Sequence, residues 1–251
     1  MQENNIELSL VLPCWNEGKI LLRNLTHISN ILNHLNCTYE IIVVDDNSSD
    51  ETRKTVEDFF NENPEIPNKR IYHQASVGQC KSVIDGVRAS SGKIIGIIEA
   101  DLGVHARYIP AFILAVRQGA DVAIARRYYR VSLLTLHRYF LNVGYRFIAR
   151  SLLKVKIHDM EAGFKFFKKE KLAEVLDLCR CHQWFWNTEV ITWSWIKGFC
   201  ITEIPCLYVR TPGRGLSFKP LSSSFIYFVN LWRLKRIICQ NNIQEKKTKG
   251  D

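Results

Sequence analysis

Short apolar runs typical of β-strands alternate with amphipathic stretches typical of α-helices through the first half of the chain. This alternation is the sequence pattern of parallel βαβ units, in which a helix crosses back over the sheet before the next parallel strand. The first helix shows it clearly, because apolar residues recur every three or four positions at Leu21, Leu25, Ile28, Leu32 and Leu35. We therefore predict an α/β fold with a mostly parallel sheet flanked by helices.

The other elements follow from the same periodicities. Strands are predicted at residues 6–13, 39–45, 70–73, 93–98, 121–125, 164–167 and 200–209. A second helix is predicted to start at about residue 49, because Ser48 and Glu51 have the spacing of a capping box. Further helices are predicted at residues 77–89, 107–118, 133–153, 169–178, 188–197 and 221–239, the last of them amphipathic.

Length and composition bound the class of protein. A chain of 251 residues with 47% hydrophobic residues can bury a substantial core in one large domain or two small ones. No apolar run reaches the length of about 18 residues that a bilayer-spanning helix needs. The first residues lack the basic and apolar regions of a signal peptide, so we expect a protein that is not secreted. The eight cysteines lack zinc-site spacing and are interpreted as reduced thiols of a cytosolic protein.

Positive charge is concentrated in one part of the chain. Lys and Arg total 34 against 25 Asp and Glu, and residues 122–158 carry eight of the basic residues with no acid among them. This excess favours anionic partners such as phosphorylated metabolites or a membrane face, although a basic run can also be a solvated helix surface. We predict no nucleic-acid partner, because no recognised nucleic-acid-binding motif accompanies the charge.

Two acids follow the apolar run at residues 94–98, in the tripeptide Glu99-Ala100-Asp101. A nearly continuous apolar strand is buried on both faces, so acids at its carboxyl end face the crevice where open α/β sheets bind ligands. Carboxylate oxygens in that place favour a hard divalent cation that carries a phosphorylated substrate. A strand that simply ends in solvated acids is the alternative.

A series of short motifs, in order along the chain, resembles the family 2 glycosyltransferases, and within them the dolichyl- or polyprenyl-phosphate mannosyltransferase-like group. The motifs are Val11-Leu12-Pro13-Cys14-Trp15-Asn16-Glu17, Val43-Val44-Asp45-Asp46-Asn47-Ser48-Ser49-Asp50, Glu99-Ala100-Asp101, Arg127-Tyr128, Asp159-x-x-x-Gly163-Phe164-Lys165, Trp186-Asn187-Thr188-Glu189 and Glu203-Ile204-Pro205 through Arg210. The resemblance covers about residues 6–220. It implies a GT-A-like (Rossmann-like) glycosyltransferase domain over residues 1–220, followed by a membrane-proximal amphipathic helix and a basic polar tail over residues 221–251.

The resemblance also implies roles for individual residues on the donor side. Glu99 and Asp101 match the paired aspartates that bind magnesium or manganese on the diphosphate of a GDP- or UDP-linked sugar. Arg210 and Lys219 match a loop that closes over that diphosphate. The nucleotide-sugar-binding candidates at the strand ends are Pro13, Trp15, Glu17, Val44, Asp46 and Ala100.

The chain departs from the family pattern at three positions. Glu99 is one methylene longer than the usual aspartate, and Arg126 stands in place of a serine. Gly103 stands where the polyprenyl-phosphate group has a glutamine able to reach the metal, so it supplies no side-chain ligand. The sequence leaves open whether these changes weaken metal binding or abolish it.

The acceptor side has two interpretations. Arg126, Arg138 and Asn142 are candidates for binding an acceptor phosphate, and a phosphate monoester already carries an ionised attacking oxygen. A hydroxyl acceptor would instead need a carboxylate base, for which Asp159 and Glu189 are the candidates. The clustered basic residues favour the phosphate. Asp101, Arg127, Asp159 and Glu189 form the predicted catalytic set.

The resemblance therefore implies an inverting enzyme that moves one sugar, mannose or glucose, from a nucleoside diphosphate to a dolichyl or polyprenyl phosphate. We expect a peripheral protein on the cytosolic face of a membrane, with a separate membrane-anchoring subunit as one option. A polysaccharide polymerase is disfavoured because no Q-x-x-R-W segment occurs. The alternatives are a family 2 enzyme with a hydroxyl acceptor and a catalytically silent nucleotide-sugar-binding subunit.

Overall fold

The structure of this chain is a computed structural model. The structure describes residues 6–129, 136–180, 185–209 and 220–248, and in the helices it leaves the side chains of residues 136–143, 220–225 and 241–248 undescribed.

Within this part of the chain the strands form a seven-stranded sheet with the order β3-β2-β1-β4-β6-β5-β7. The strands are β1 Leu8–Cys14, β2 Tyr39–Asp45, β3 Asn68–Tyr72, β4 Ile94–Ile97, β5 Val122–Tyr129, β6 Lys165–Lys168 and β7 Ile201–Tyr208. Strand β6 runs antiparallel to both of its neighbours, β4 and β5, and every other pairing is parallel. The predicted fold class, a mostly parallel sheet flanked by helices, is confirmed.

Helices connect the strands. They are α1 Gly18–Asn33, α2 Thr52–Glu62, α3 Gln79–Ala89, α4 Ile109–Arg117, α5 Leu136–Leu153, α6 Lys169–Leu176, α7 Trp186–Ile196 and α8 Pro220–Thr248, with a single 3₁₀ turn at Ala106–Tyr108 before α4. Helix α1 buries Leu21, Leu25, Ile28 and Leu32 of the predicted apolar stripe, whereas Leu35, its fifth member, lies beyond the end of the helix. Strand β1, which precedes this helix, is buried along its whole length.

The predicted capping box is wrong. Helix α2 begins at Thr52, and its preceding residue Glu51 makes no side-chain capping hydrogen bond. The hydroxyl of Ser48 donates to Asp45 and accepts the backbone N–H of Asn16 at 2.8 Å. Asp50 acts at the helix start, because its Oδ1 accepts the backbone N–H of Thr52 at 3.0 Å.

The connectivity of the sheet creates a crevice between β1 and β4. The chain leaves β1, adds β2 and β3 on one side, and then crosses to β4 on the other side of β1. Helices on the two sides of such a switch point diverge, so the carboxyl ends of β1 and β4 border an open space. The acidic tripeptide at residues 99–101 directly follows β4.

The chain divides into two compact units. The first contains residues 1–130 and 159–211, and the second contains residues 131–158 and 212–251. In the second unit the rings of Tyr145 on α5 and Tyr227 on α8 meet edge to face at 5.4 Å between centroids. The sequence-based division at residue 220 assigned α5 to the first region, whereas this grouping places it with α8. Among the described residues, no helix combines the length and the apolar character needed to cross a bilayer.

Candidate functional site

A small pocket opens at the switch point of the sheet. Pro13 at the end of β1 and Glu99 after β4 border it, and Cys80 of α3, Gly163 and Trp186 complete its wall together with neighbouring residues. These residues come from five separated parts of the sequence. The fold therefore gathers the predicted motifs around the crevice where parallel α/β sheets bind ligands.

Asp101 lies on a tight turn directly after β4. One of its carboxylate oxygens accepts the backbone N–H of Gly103 at 3.0 Å. The following residue, Leu102, has a φ of 51°, a left-handed conformation that non-glycine residues rarely adopt. The carbonyl of Ala100 accepts a hydrogen bond from the Asn24 side chain of α1 at 2.8 Å. The turn that carries Asp101 is therefore fixed by a hydrogen bond within it and by one from α1.

Glu99 lies against the backbone of Gly163. A methyl group added to Gly163 would approach the Glu99 Cδ to 2.6 Å, so only glycine leaves room for this carboxylate. The extra methylene of Glu99, relative to aspartate, is thus accommodated by a residue in another motif. The charge of Glu99 acts to raise the pKa of both Lys165 and Tyr208.

Lys165 is fully buried on β6, and its ammonium group donates to the Asn187 side chain of α7. Its Nζ lies 5.5 Å from the centre of the Trp186 ring. Burial lowers the pKa of Lys165 to about 7, while the Glu99 carboxylate acts in the opposite direction. An amine whose pKa is lowered to about 7 therefore contacts Trp186 and Asn187, two residues that line the pocket.

Arg127 and Asp159 form a buried bidentate ion pair. Arg127 Nε donates to Asp159 Oδ2 and Arg127 Nη2 donates to Asp159 Oδ1, both at 2.8 Å. The backbone N–H of Arg127 also donates to Asp159, at 3.1 Å. Asp159 has no exposed surface, and both of its carboxylate oxygens accept hydrogen bonds from Arg127. The structure brings these two predicted catalytic residues together as partners of each other.

Glu189 is buried in the first turn of α7, where it accepts the backbone N–H of Arg180 at 3.1 Å. Arg126 is partly exposed on β5, and its guanidinium lies 5.5 Å from the centre of the Tyr128 ring. Arg126 and Arg127 are consecutive on one strand, so their side chains point to opposite faces of the sheet.

Asp46, a predicted nucleotide-binding residue, anchors the loop between β3 and α3. Its carboxylate accepts the backbone N–H groups of Val77 at 2.8 Å and Gly78 at 2.9 Å, and the hydroxyl of Ser76 at 2.7 Å. The ring of His73 also contacts it, at 3.0 Å. Although burial opposes them, these hydrogen bonds hold the pKa of Asp46 below its usual range.

The other nucleotide candidates differ in accessibility. Trp15 is half exposed at the end of β1, in a position to offer a ring face to a ligand. Glu17 and Val44 are buried, and Val44 has no exposed side-chain surface. Their roles, like those of the other site residues, remain predictions.

Four predicted site residues fall outside the described side chains. Arg138 and Asn142 lie in the part of α5 whose side chains are not described, and Arg210 and Lys219 lie outside the described residues.

The acidic turn fits a divalent cation by the chemistry of its donors. Among the described residues, no three His, Cys, Asp or Glu side chains converge as a complete metal site. Magnesium in phosphate-transfer sites is generally held by one or two carboxylates, with water and substrate phosphate oxygens as the remaining ligands. Glu99 and Asp101 provide two such carboxylates at one turn.

Sequence reasoning did not assign a role to two residues that the structure places at the site. Lys165 was part of a motif, and a lysine between phenylalanines in a strand is a signal of a functional or paired charge. Tyr208 lies next to Gly103 and carries no such signal, because its position depends on which strand end meets the turn.

Comparison with known proteins agrees with this architecture. The sequence model of the family described as glycosyl transferase family 2 matches residues 9–176. The chain belongs to this family, which confirms the resemblance inferred from the motifs.

Two similar proteins are named as transferases of mannose and glucose with dolichol phosphate. The dolichol-phosphate mannosyltransferase of Pyrococcus furiosus is 32% identical over 175 residues, which are 68% of this chain and 48% of that protein. The dolichyl-phosphate beta-glucosyltransferase of Dictyostelium discoideum is 25% identical, with 92% of this chain and 78% of that protein covered. The chain spans about half of the Pyrococcus protein, and 32% of glycosyltransferase AglD of Haloferax volcanii.

The solved structures show the same fold. Glucosyl-3-phosphoglycerate synthase of Mycobacterium tuberculosis superposes with a TM-score of 0.70 and 17% identity, over 91% of this chain and 80% of that chain. That enzyme was crystallised with Mn²⁺, UDP and glucosyl-3-phosphoglycerate. In another structure it holds Mg²⁺ and UDP, and the TM-score is 0.68.

Proposed function

We propose that this chain transfers a single hexose, mannose or glucose, from a nucleoside diphosphate to a dolichyl or polyprenyl phosphate. The observation that carries the proposal is the pair of acids, Glu99 and Asp101, at the switch point of a family 2 glycosyltransferase sheet. The names of the Pyrococcus and Dictyostelium relatives support a lipid phosphate as the acceptor. The donor is a GDP- or UDP-linked sugar.

A divalent cation, magnesium or manganese, belongs to the proposed donor site. Glu99 and Asp101 would hold it, and the structures of the mycobacterial enzyme with Mn²⁺ or Mg²⁺ support this assignment. When bound, the cation neutralises charge that develops on the leaving nucleoside diphosphate. Asn24 and Gly103 hold the turn in place before the donor binds, so little reorganisation is needed.

The transfer itself is a single displacement. An oxygen of the acceptor phosphate attacks the anomeric carbon, the bond from that carbon to the diphosphate oxygen breaks, and the electron pair leaves with the nucleoside diphosphate. The configuration at the anomeric carbon is inverted. A phosphate monoester is largely ionised at neutral pH, so the attack needs no proton transfer to a base.

The state of the two candidate bases supports a phosphate acceptor. Asp159 is buried and gives both oxygens to Arg127, and Glu189 is buried and accepts the backbone N–H of Arg180. A general base must lie within hydrogen-bond reach of the proton that it removes. Asp159 and Glu189 accept hydrogen bonds from other residues of the protein. This arrangement suits a reaction in which no proton has to be removed from a hydroxyl acceptor.

The second unit supports a peripheral location on the cytosolic face of a membrane. Trp232 of α8 is 66% exposed and Phe147 of α5 is 69% exposed. Phe228, Trp232 and Arg236 are spaced four residues apart and all are exposed, so aromatic and basic side chains share one helix face. Such a face suits the boundary between headgroups and acyl chains of an anionic membrane. A separate membrane-anchoring subunit would add to this attachment.

The test is a transfer assay with the purified full chain. Polyprenyl phosphate, Mn²⁺ and a panel of GDP- and UDP-sugars are supplied, and lipid products are identified by mass spectrometry. We expect one hexosyl lipid phosphate, its loss in Asp101→Asn, and its retention in Asp58→Asn, which changes an exposed carboxylate on α2. Failure to form any glycolipid from any donor would refute the proposal, and binding without turnover would point to a silent subunit.

A second variant separates the two acceptor classes. Glu189→Gln keeps an oxygen that can accept the Arg180 N–H but removes a carboxylate base. A phosphate-acceptor enzyme keeps most of its turnover in this variant, whereas a hydroxyl-acceptor enzyme loses nearly all of it.

A further inference from the structure

The space beside Gly103 is filled by the ring of Tyr208. A methyl group added at Gly103 would lie 2.6 Å from Cε2 of Tyr208 and 3.3 Å from its hydroxyl oxygen. Position 103 is two residues after Asp101. The glutamine that the polyprenyl-phosphate group has at this position would extend its side chain from this point. The phenol of Tyr208 therefore occupies the volume that a side chain at position 103 would take.

The backbone holds Tyr208 firmly in this position. Tyr208 is the last residue of β7, and it forms an isolated antiparallel bridge with Val104. The backbone N–H of Val209 donates to the carbonyl of Gly103 at 2.8 Å. The acidic turn and the end of β7 are thus joined by backbone contacts at Gly103 and Val104, which fixes the approach of the ring.

The ring has further neighbours on its other sides. The Tyr129 ring lies 5.1 Å away between centroids, and the Arg127 guanidinium lies 5.7 Å from the centre of the Tyr208 ring. These contacts leave the ring few alternative orientations.

The phenol also lies within the electrostatic influence of the acidic turn. Burial raises the pKa of Tyr208, and the charges of Glu99 and Asp101 raise it further. The Asp101 carboxylate accepts the N–H of Gly103, the residue that the ring covers. The hydroxyl of Tyr208 is therefore a polar group that β7 holds next to Gly103 of the acidic turn.

We propose that Tyr208 is a binding residue of the donor site, whose phenol oxygen replaces the side-chain contact that Gly103 cannot make to the cation and diphosphate. This inference rests on the proposed function, because it assumes that Glu99 and Asp101 hold a metal-bound nucleoside diphosphate. A phenol oxygen is a suitable partner for both, since it can approach a hard cation or donate to a phosphate oxygen.

The first experiment removes only the hydroxyl. Tyr208→Phe keeps the ring that packs on Gly103, and Tyr128→Phe, at a position 49% exposed on β5, is the matched control. Binding of Mn²⁺ in the presence of GDP or UDP is measured by electron paramagnetic resonance and calorimetry. We expect Tyr208→Phe to weaken Mn²⁺ binding by roughly tenfold to a hundredfold, the usual effect of losing a contact to a charged group or a metal-site partner. The melting temperature and the behaviour of Tyr128→Phe should match the wild type.

The second experiment replaces the Tyr208 hydroxyl with an oxygen supplied by a side chain at position 103. Tyr208→Ala empties the volume beside Gly103, and the double variant with Gly103→Gln fills it with a side chain that carries an amide oxygen. The matched double variant with Gly103→Met fills it with an apolar chain of similar length. We expect the glutamine variant to recover Mn²⁺ binding in part and the methionine variant to stay as weak as Tyr208→Ala. This comparison is valid even where Tyr208→Phe changes stability.

The outcomes separate the two proposals. Wild-type protein that binds the metal and nucleotide, with equal binding by Tyr208→Phe, shows that Tyr208 only fills space and overturns the inference while leaving the proposed function intact. Equal recovery by glutamine and methionine also overturns it. Wild-type protein that binds neither GDP nor UDP with Mn²⁺ overturns both.

Discussion

Arg127 donates two parallel hydrogen bonds of 2.8 Å to Asp159, whose carboxylate is fully buried. Burial opposes the charged form of the arginine, but the Asp159 charge raises the pKa of Arg127 well above its usual value. The pair links the end of β5 to the segment before β6, and the backbone N–H of Asp159 also donates to Glu203 of β7, at 3.3 Å. Asp159 therefore ties two strands, β5 and β7, to the segment that leads into β6.

This ion pair should be essential for folding. Asp159→Asn removes the charge that balances a largely buried guanidinium, and breaking such a pair generally costs about 3–5 kcal/mol. We expect a loss of that order in the free energy of unfolding, measured in urea. Glu174→Gln, which breaks an exposed pair with Lys171 on α6, should change it by less than about 1 kcal/mol. A loss below about 1 kcal/mol in Asp159→Asn would contradict a structural role for the pair.

Lys165 should make stability depend on pH above neutrality. Its pKa is lowered by burial to about 7, from an ordinary value of 10.5, so between these values the unfolded chain binds more protons than the folded one. Stability in the metal-free protein therefore rises with pH in that window, by about 1 kcal/mol per pH unit from this group. Urea unfolding from pH 7 to 10 measures the slope.

Two matched variants isolate the contribution of Lys165 to the pH dependence of stability. Lys165→Met should lose this contribution to the slope, whereas Lys168→Met, which changes a partly exposed lysine on the same strand, should keep it. Because tyrosines and cysteines also titrate in this range, the difference between wild type and variant is the relevant quantity. Identical slopes for wild type and Lys165→Met would show that the lysine is not held neutral by burial.

Gly163 should be intolerant of alanine because of Glu99. The added methyl group would lie 2.6 Å from Glu99 Cδ, so the backbone or the carboxylate must shift. We expect Gly163→Ala to destabilise the protein by about 1–3 kcal/mol, the usual effect of overpacking. In the double variant with Gly163→Ala, Glu99→Asp removes one methylene and should restore part of the lost stability.

A different glycine serves as the control. Nothing lies within 4 Å of the position that a methyl group on Gly144 would occupy, in the middle of α5. Gly144→Ala should stabilise the protein by about 0.5–1 kcal/mol, because alanine loses less backbone freedom in a helix. If Glu99→Asp gives no recovery, the steric explanation of Gly163 is wrong.

The exposed aromatic face of α8 should mediate membrane binding. Trp232→Ala removes the most exposed aromatic side chain described on this helix, at 66% exposure, and should weaken binding to vesicles by roughly tenfold. Arg236→Gln should weaken binding only to vesicles that contain phosphatidylserine, by roughly fivefold. Leu114→Ala, at 52% exposure on α4, should bind as the wild type does. Sedimentation with phosphatidylcholine vesicles, with and without phosphatidylserine, measures all three, and equal binding by every variant would exclude this face.

Much of the fold was predictable because it depends on local patterns. The predicted strand at residues 39–45 matches β2, Tyr39–Asp45, since an apolar run bounded by turn residues marks both of its ends. Strand β5 was predicted to end at residue 125 but continues to Tyr129, because β7 pairs with it in register up to Tyr208. The hydrogen bonds that extend β5 thus come from a strand far along the chain, which a local pattern does not reveal.

The start of α2 was mispredicted for the same physical reason. Ser48 and Glu51 have the spacing of a capping box, but the Ser48 hydroxyl bonds to Asp45 and to the backbone of Asn16. A side chain with several possible partners takes those that the tertiary structure brings near it. Sequence spacing describes only the partners within a few residues.

The sequence by itself determined the alternating elements, the family, and the place of Glu99 and Asp101 after a buried strand, because periodicity and motif order are local properties of the chain. Only the tertiary structure decided that Arg127 is paired with Asp159 and that Tyr208 covers Gly103. Each of these contacts joins residues far apart in the sequence. They depend on strand order and register, which arise from packing of the whole sheet.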